Sequence, residues 1–191
     1  ALAADQDVAV QELKYEKLRK RLLAQKQVLD LPEVSDLPPA GESVPADSLP
    51  GIVLDDNDAE LIGDWSRSTT FKPSIDNGYL FSGERGNQRK GDGKSVATFR
   101  FKAPKSGEYQ LSMAYSPHKT RATNVPVMVT SGGNQQEFIV DQTKALPNGQ
   151  HLRNVGHVQL EGDVETVITM RNRETNGFVI VDALQLLPKE P

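Results

Sequence analysis

From Gly51 to the end the chain is written in short runs of β-branched and aromatic residues, separated by Gly, Asn, Pro and Asp, with no helical period between them. Side chains of a strand alternate between faces, so a half-buried strand needs an apolar residue at every second position. The runs Ile52 to Leu54, Glu60 to Ile62, Tyr79 to Phe81, Ser95 to Phe101, Tyr109 to Tyr115, Val125 to Thr130, Gln136 to Val140, Val155 to Leu160, Thr166 to Arg171 and Gly177 to Leu187 fit that need. Short strands at this spacing predict an all-β fold, an antiparallel β-sandwich or jelly roll, and argue against βαβ units. Pro104 to Gly107 and Ser131-Gly132-Gly133-Asn134 supply the fixed and positive φ at which strands reverse. In the last run Phe178, Ile180 and Asp182 face one way and Val179, Val181 and Ala183 the other, so it is predicted to be buried on both sides, and Asp182 then needs a partner.

The stretch Gly107 to Val129 is the one around which a binding function is best arranged. Tyr109, Leu111, Met113 and Tyr115 share one face of its first arm and Val125, Val127 and Val129 one face of its second, which predicts two strands of one antiparallel sheet. Between them the bend SPHKTRATN holds His118, Lys119, Arg121 and Asn124, the densest group of hydrogen-bonding side chains in the chain. Loops held on a rigid sheet are where binding concentrates. Arg121 and Asn124 are candidate ligand contacts, although a salt bridge to a neighbouring turn would use the same groups. Trp65, Tyr79, Phe71 and Tyr115 are either core or faces on which a pyranose could stack.

Other motifs are weaker on inspection. Gly83 to Lys94 is glycine-rich, but Gln88 stands where a phosphate loop needs glycine and a strand follows, so it reads as an exposed loop. Asp55, Asp56 and Asp58 resemble calcium ligands, yet Leu61 occupies the position where an EF-hand loop requires glycine. An acidic turn is ordinarily just solvated; the alternative is a structural calcium ion at Asp55 and Asp56 with Asp182 nearby. No other cofactor is expected in this chain. No histidine pair has the i,i+4 spacing of a helical zinc site, and no acid, base and nucleophile converge, so no catalytic residue is expected.

Composition closes further routes. The absence of cysteine removes disulfides and thiolate chemistry, and a formal charge of -4 leaves no basic footprint for nucleic acid. No apolar run is long enough to span a membrane as a helix. Residues 1–31 carry a net charge of +1 and keep Tyr15, Leu18, Leu22 and Leu29 at three-and-four spacing, which predicts an amphipathic helix from Glu12 to Val28. Its apolar stripe is too narrow to fold alone, and it reads as the tail of an upstream domain of which this chain is a cut piece. Residues 32–50 hold five of the twelve prolines and four acids without a base, and are expected to be an extended linker. The domain itself is expected to span 51–191.

Gly51 to Pro188 resembles the golvesin-type domain also found at the end of xanthan lyase-like proteins. The resemblance rests on GIVLDDNDAELIGDWSRST, Gly78-Tyr79-Leu80, SGEYQLSMAYSPHKTRATNVPVMV and GFVIVDALQLLP. His151-Leu152-Arg153 stand near the place where that family has a tryptophan. It implies a carbohydrate-binding-like sandwich, a galactose-binding-like jelly roll, and the residues read above as ligand contacts on such a sandwich are Trp65, Tyr79, Tyr115, His118, Arg121 and Asn124. Residues 8–31 resemble the closing segment of bacterial FAD-dependent oxidoreductases, although the chain has no G-x-G-x-x-G and is expected to bind no FAD itself. Together these imply a noncatalytic accessory module, extracellular or in the periplasm or cell envelope, with a polysaccharide and an upstream catalytic domain as partners. The alternative is a structural or dimerisation domain of such a flavoenzyme, or of a xanthan lyase-like enzyme, that binds no sugar.

Overall fold

A computed structural model of the protein describes residues 42–83, 91–147 and 150–189. The predicted helix of residues 12–28 and most of the glycine-rich run lie outside the described residues. Two sheets form the body. One has five strands in the order β10 (Asn134–Val140), β9 (Val125–Ser131), β12 (Glu165–Arg171), β7 (Val96–Lys102) and β3 (Glu60–Ile62). The other has four, β11 (Arg153–Leu160), β8 (Gly107–Met113), β14 (Ala183–Pro188) and β2 (Ile52–Asp55). All pairings within both are antiparallel. The all-β sandwich that alternation predicts is the fold.

The alternating residues meet where expected. Ala97, Phe99 and Phe101 from β7, Val125, Val127 and Val129 from β9, and Ile168 and Met170 from β12 form one wall of the core. Tyr109, Leu111, Met113, Leu184, Leu186, Ile52, Leu54, Val158 and Leu160 form the other. Burying a side chain of this size is worth about 1.5–3 kcal/mol each, which is what holds the two layers together. Where Ser131 and Thr166 intrude, their hydroxyls bond each other at 2.8 Å, so neither is left unpaired. At the open edge the Gln136 side chain bridges the sheets: Nε2 donates to His157 O at 3.2 Å and Oε1 accepts from Gln159 N at 2.8 Å.

One expectation changes. β8 and β9 are not partners in one sheet; they lie in opposite layers, and the bend between them carries the chain across the core. Sheets pack about 10 Å apart, a span that a tight hairpin cannot cover and this longer polar connection can. The last predicted strand also divides, into β13 (Ile180–Val181) and β14, with Asp182 at the break. β13 joins β6 (Tyr79–Ser82) and β4 (Trp65–Ser68) in a three-stranded sheet.

The end of the proline-rich stretch, read from sequence as linker, packs on the body. β1 (Ser43–Val44) pairs in parallel with β5 (Ser74–Ile75). Val44, Ala46 and Leu49 cover Val53, Ile75, Ala114, Ala183 and Leu152 on the outer side of the four-stranded sheet. Polar contacts fasten this strap: Asp76 N donates to Val44 O at 2.9 Å, Ala46 N to Asp76 Oδ1 at 2.8 Å and Gln185 Nε2 to Pro50 O at 2.9 Å. A hydrogen bond of 3.1 Å joins His151 Nε2 and Glu42 O. Prolines suit the strap because it docks through side chains and few ladder bonds.

Candidate ligand-binding site

Three segments distant in sequence meet around Arg121. The bend after β8 places Arg121 N on His118 O at 3.0 Å, closing a turn, while Ala122 N bonds Phe178 O at 2.9 Å and Phe178 N bonds Thr120 O at 3.0 Å. This close approach depends on Gly177, where a Cβ would lie 2.6 Å from Arg121 C and O. The turn aims the guanidinium inward. Nε donates to Ser116 O at 3.2 Å, and Nη2 donates to Tyr79 Oη at 3.2 Å and to Ser116 Oγ at 3.3 Å. Burial pulls the Arg121 pKa below its ordinary value, with Tyr79 acting in the other direction.

Above it lies Phe71, from the loop between β4 and β5. The guanidinium carbon is 5.1 Å from the Phe71 ring centroid and 5.5 Å from that of Tyr79, inside the range of cation–π attraction. The His118 ring lies 4.7 Å from Phe71, tilted by 30°. Its Nδ1 is 2.8 Å from Thr120 Oγ1, which fixes the ring's orientation. Phe71 is 36% exposed, and Lys119, next to His118 in the chain, is exposed as well. The product is a solvent-facing aromatic shelf, Phe71 with His118, seated on a buried cation.

The residues expected to touch ligand thus separate. His118, Arg121 and Tyr79 come together, Tyr79 as a buried support. Tyr115 does not join them: it is fully buried, and its hydroxyl donates to Lys144 O at 2.9 Å. Trp65 packs half-buried against the core with Nε1 donating to Ile62 O at 3.1 Å. Asn124 is spent on the fold. Its Nδ2 donates to Glu174 O and its Oδ1 accepts from Asn176 N, both at 3.0 Å, while Asn176 reciprocates on Thr123. Phe71 had one sequence signal, an aromatic ring alone in the polar run Ser66 to Lys72.

The acidic residues gather elsewhere, at the ends of β2 and β13. Arg67 holds both oxygens of Asp56, Nη2 to Oδ1 at 2.7 Å and Nη1 to Oδ2 at 3.1 Å. Even so, burial pushes Asp56 up to about 6, with the Arg67 bonds working against the shift and the Asp55 charge adding to it. Asp55 Oδ2 accepts from Asn57, capping the short turn Asp56–Asp58, and Asp182 Oδ1 accepts from Ile75 N at 3.0 Å. Asp55 Oδ1 and Asp182 Oδ2 are buried without a partner. Desolvation raises both groups, Asp182 well above the usual carboxylate value. Asp56 is turned to Arg67, and among the described residues no group of three His, Cys, Asp or Glu side chains is placed to hold a metal ion.

Residues 52–188 match the Golvesin C-terminal domain. The chain belongs to this family. No curated protein matches it. The golvesin domain is similar to part of a xanthan lyase from Paenibacillus, at 28% identity and a TM-score of 0.61, over 72% of this chain and 13% of the lyase. It is also similar to a GH26-CBM35 β-(1,4)-mannanase from Podospora anserina, at 20% identity and a TM-score of 0.51, over 73% of this chain and 28% of that one. A third likeness is to Xyl-CBM35 in complex with a glucuronic acid-containing disaccharide, at 13% identity and a TM-score of 0.50, over 73% of this chain and 95% of the module. The last two establish a shared fold. The chain thus spans a small fraction of the two enzymes it matches. Among the described residues of the golvesin domain, no helix is long and apolar enough to cross a membrane.

Proposed function

We propose that this golvesin domain is a noncatalytic glycan-binding module, joined through its proline-rich stretch to an enzyme that acts on a polysaccharide outside the cell or in its envelope. The observation that carries this reading is the shelf: Phe71 faces solvent at a junction of three loops, with His118, Lys119 and Thr120 supplying polar groups beside it. Aromatic rings present an apolar face to the C–H surface of a pyranose, and hydrogen-bonding neighbours fix its orientation. The sandwich fold shared with carbohydrate-binding modules supports it. Tethering would raise the enzyme's effective concentration at the polymer without any chemistry by the module itself. Affinity gels and a glycan array test the proposal. Retention on a polysaccharide that Phe71→Ala abolishes, with unfolding unchanged, is the expected result; no retention on any glycan removes it.

A second reading is favoured by the outer face of the five-stranded sheet. Ile62, paired with Val96 at one edge, is 66% exposed, and Ile139, paired with Pro126 at the other, is 62% exposed. Under that reading the domain packs against a flavoenzyme or another copy of itself. A dimer measured by light scattering, and lost in Ile62→Glu, would support it.

A further inference from the structure

Arg121 is 6% exposed, and a buried cation costs several kcal/mol unless a counter-charge accompanies it. Among the described residues it makes no ion pair with a carboxylate. Its three hydrogen bonds go to Ser116 O, Ser116 Oγ and Tyr79 Oη, all neutral, and they use Nε and Nη2. Nη1 takes no bond there. Nor is it sealed by its described neighbours, because among the described residues the buried side-chain atoms without partners are Asp55 Oδ1 and Asp182 Oδ2. Asp76, which follows the Phe71 to Ile75 stretch, is turned to Ala46 N, and the stretches Phe71 to Ile75 and Ser116 to Thr123 contain Lys72, Lys119 and Arg121 and no acid. That stands out in a chain whose formal charge is -4.

We propose that the shelf takes a sugar bearing a carboxylate, a uronate unit of an acidic polysaccharide, whose oxygens meet the free Nη1 edge of Arg121 while its ring lies on Phe71. This rests on the glycan reading above and names the chemical class of the ligand. Arg is suited to the task because its fixed fork holds a carboxylate in one orientation, and a preset, partly desolvated guanidinium gives up little water on binding. Lys119 at the rim attracts the same charge, and Ser116 and Tyr79 hold the fork so that it is not reorganised when ligand arrives.

The test measures binding of the full chain to polygalacturonate and to glucuronoxylan, each beside its carboxyl-reduced form, with polyacrylate as an anion that is not a sugar. Binding to at least one acidic polymer, weakened tenfold or more by carboxyl reduction, with no retention of polyacrylate, is the expected result. Equal affinity for the reduced polymers, or binding to neutral glycans alone, overturns the carboxylate inference and leaves the glycan reading standing. Equal retention of polyacrylate also overturns it, since charge alone would then account for binding. Absence of binding to every polymer removes both. Because Arg121 also supports the fold, Arg121→Gln is read only alongside its unfolding curve, and the comparison of native and reduced polymers does not depend on that variant folding.

Discussion

Replacing Asp56 by Asn is expected to change how stability depends on pH, with a sign set by the burial of Asp56. Asp56 is buried beneath Arg67, and its pKa rises from 3.8 to about 6 on folding. A carboxyl raised in this way binds its proton more tightly in the folded chain, so folding is favoured at low pH. That advantage is lost as pH climbs from the unfolded value through the folded one, and nothing further changes above it. At 1.36 kcal/mol per unit the loss reaches about 3 kcal/mol. Asn cannot titrate, so it removes this slope while adding a pH-independent cost, since an amide can accept from only one arm of the Arg67 fork. Urea unfolding at steps between pH 3.5 and 7.5, followed by the emission of Trp65, the single tryptophan, gives the two curves. The wild type should lose about 3 kcal/mol relative to the variant across that interval. Parallel curves, or a wild type that gains on the variant as pH rises, would mean that Arg67 outweighs desolvation and the reasoning is wrong.

Asp182→Asn should keep the acceptor for Ile75 N–H and hold its stability better than wild type as pH rises above the carboxylate range, whereas Asp182→Ala should cost about 1–3 kcal/mol, both read by urea unfolding. Gly177→Ala should cost about 1–3 kcal/mol, because its new methyl meets the Arg121 backbone, and should weaken glycan retention with it. Phe99→Ala, at the centre of the core, should cost about 3–5 kcal/mol by the same unfolding measurement. Asn124→Ala should cost about 0.5–1.5 kcal/mol by thermal unfolding, because it breaks the clasp with Glu174 and Asn176, whose bonds are exposed so that water replaces the lost partner.

Much of the sandwich could be read from residue type alone. Phe99 and Phe101, or Val127 and Val129, declare a buried face because only one face of their strand is apolar. Alternation names the face but not the neighbour, which is why β8 and β9 read as partners when they lie across the core from each other. Strands of two residues carry no period, so Ser43–Val44 was hidden among prolines, and Trp65–Ser68 was hidden by its polar composition. The site was half legible. Arg121 and His118 stand out as polar residues in a bend, but the inward setting of Arg121 depends on Ser116, Tyr79 and Gly177, and the last two lie far off in sequence. Asn124 looked like the same sort of residue, and only the reciprocal bonds with Asn176 reveal it as a fastener of the fold.

Lys72, the residue after Phe71, reaches back to the Ser43 hydroxyl, and its Nζ also bonds Ser74 Oγ at 3.2 Å. The strap at Ser43 is therefore tied to the loop that carries the solvent-facing ring, so a polymer strand lying on Phe71 would pass close to where the strap pairs with β5.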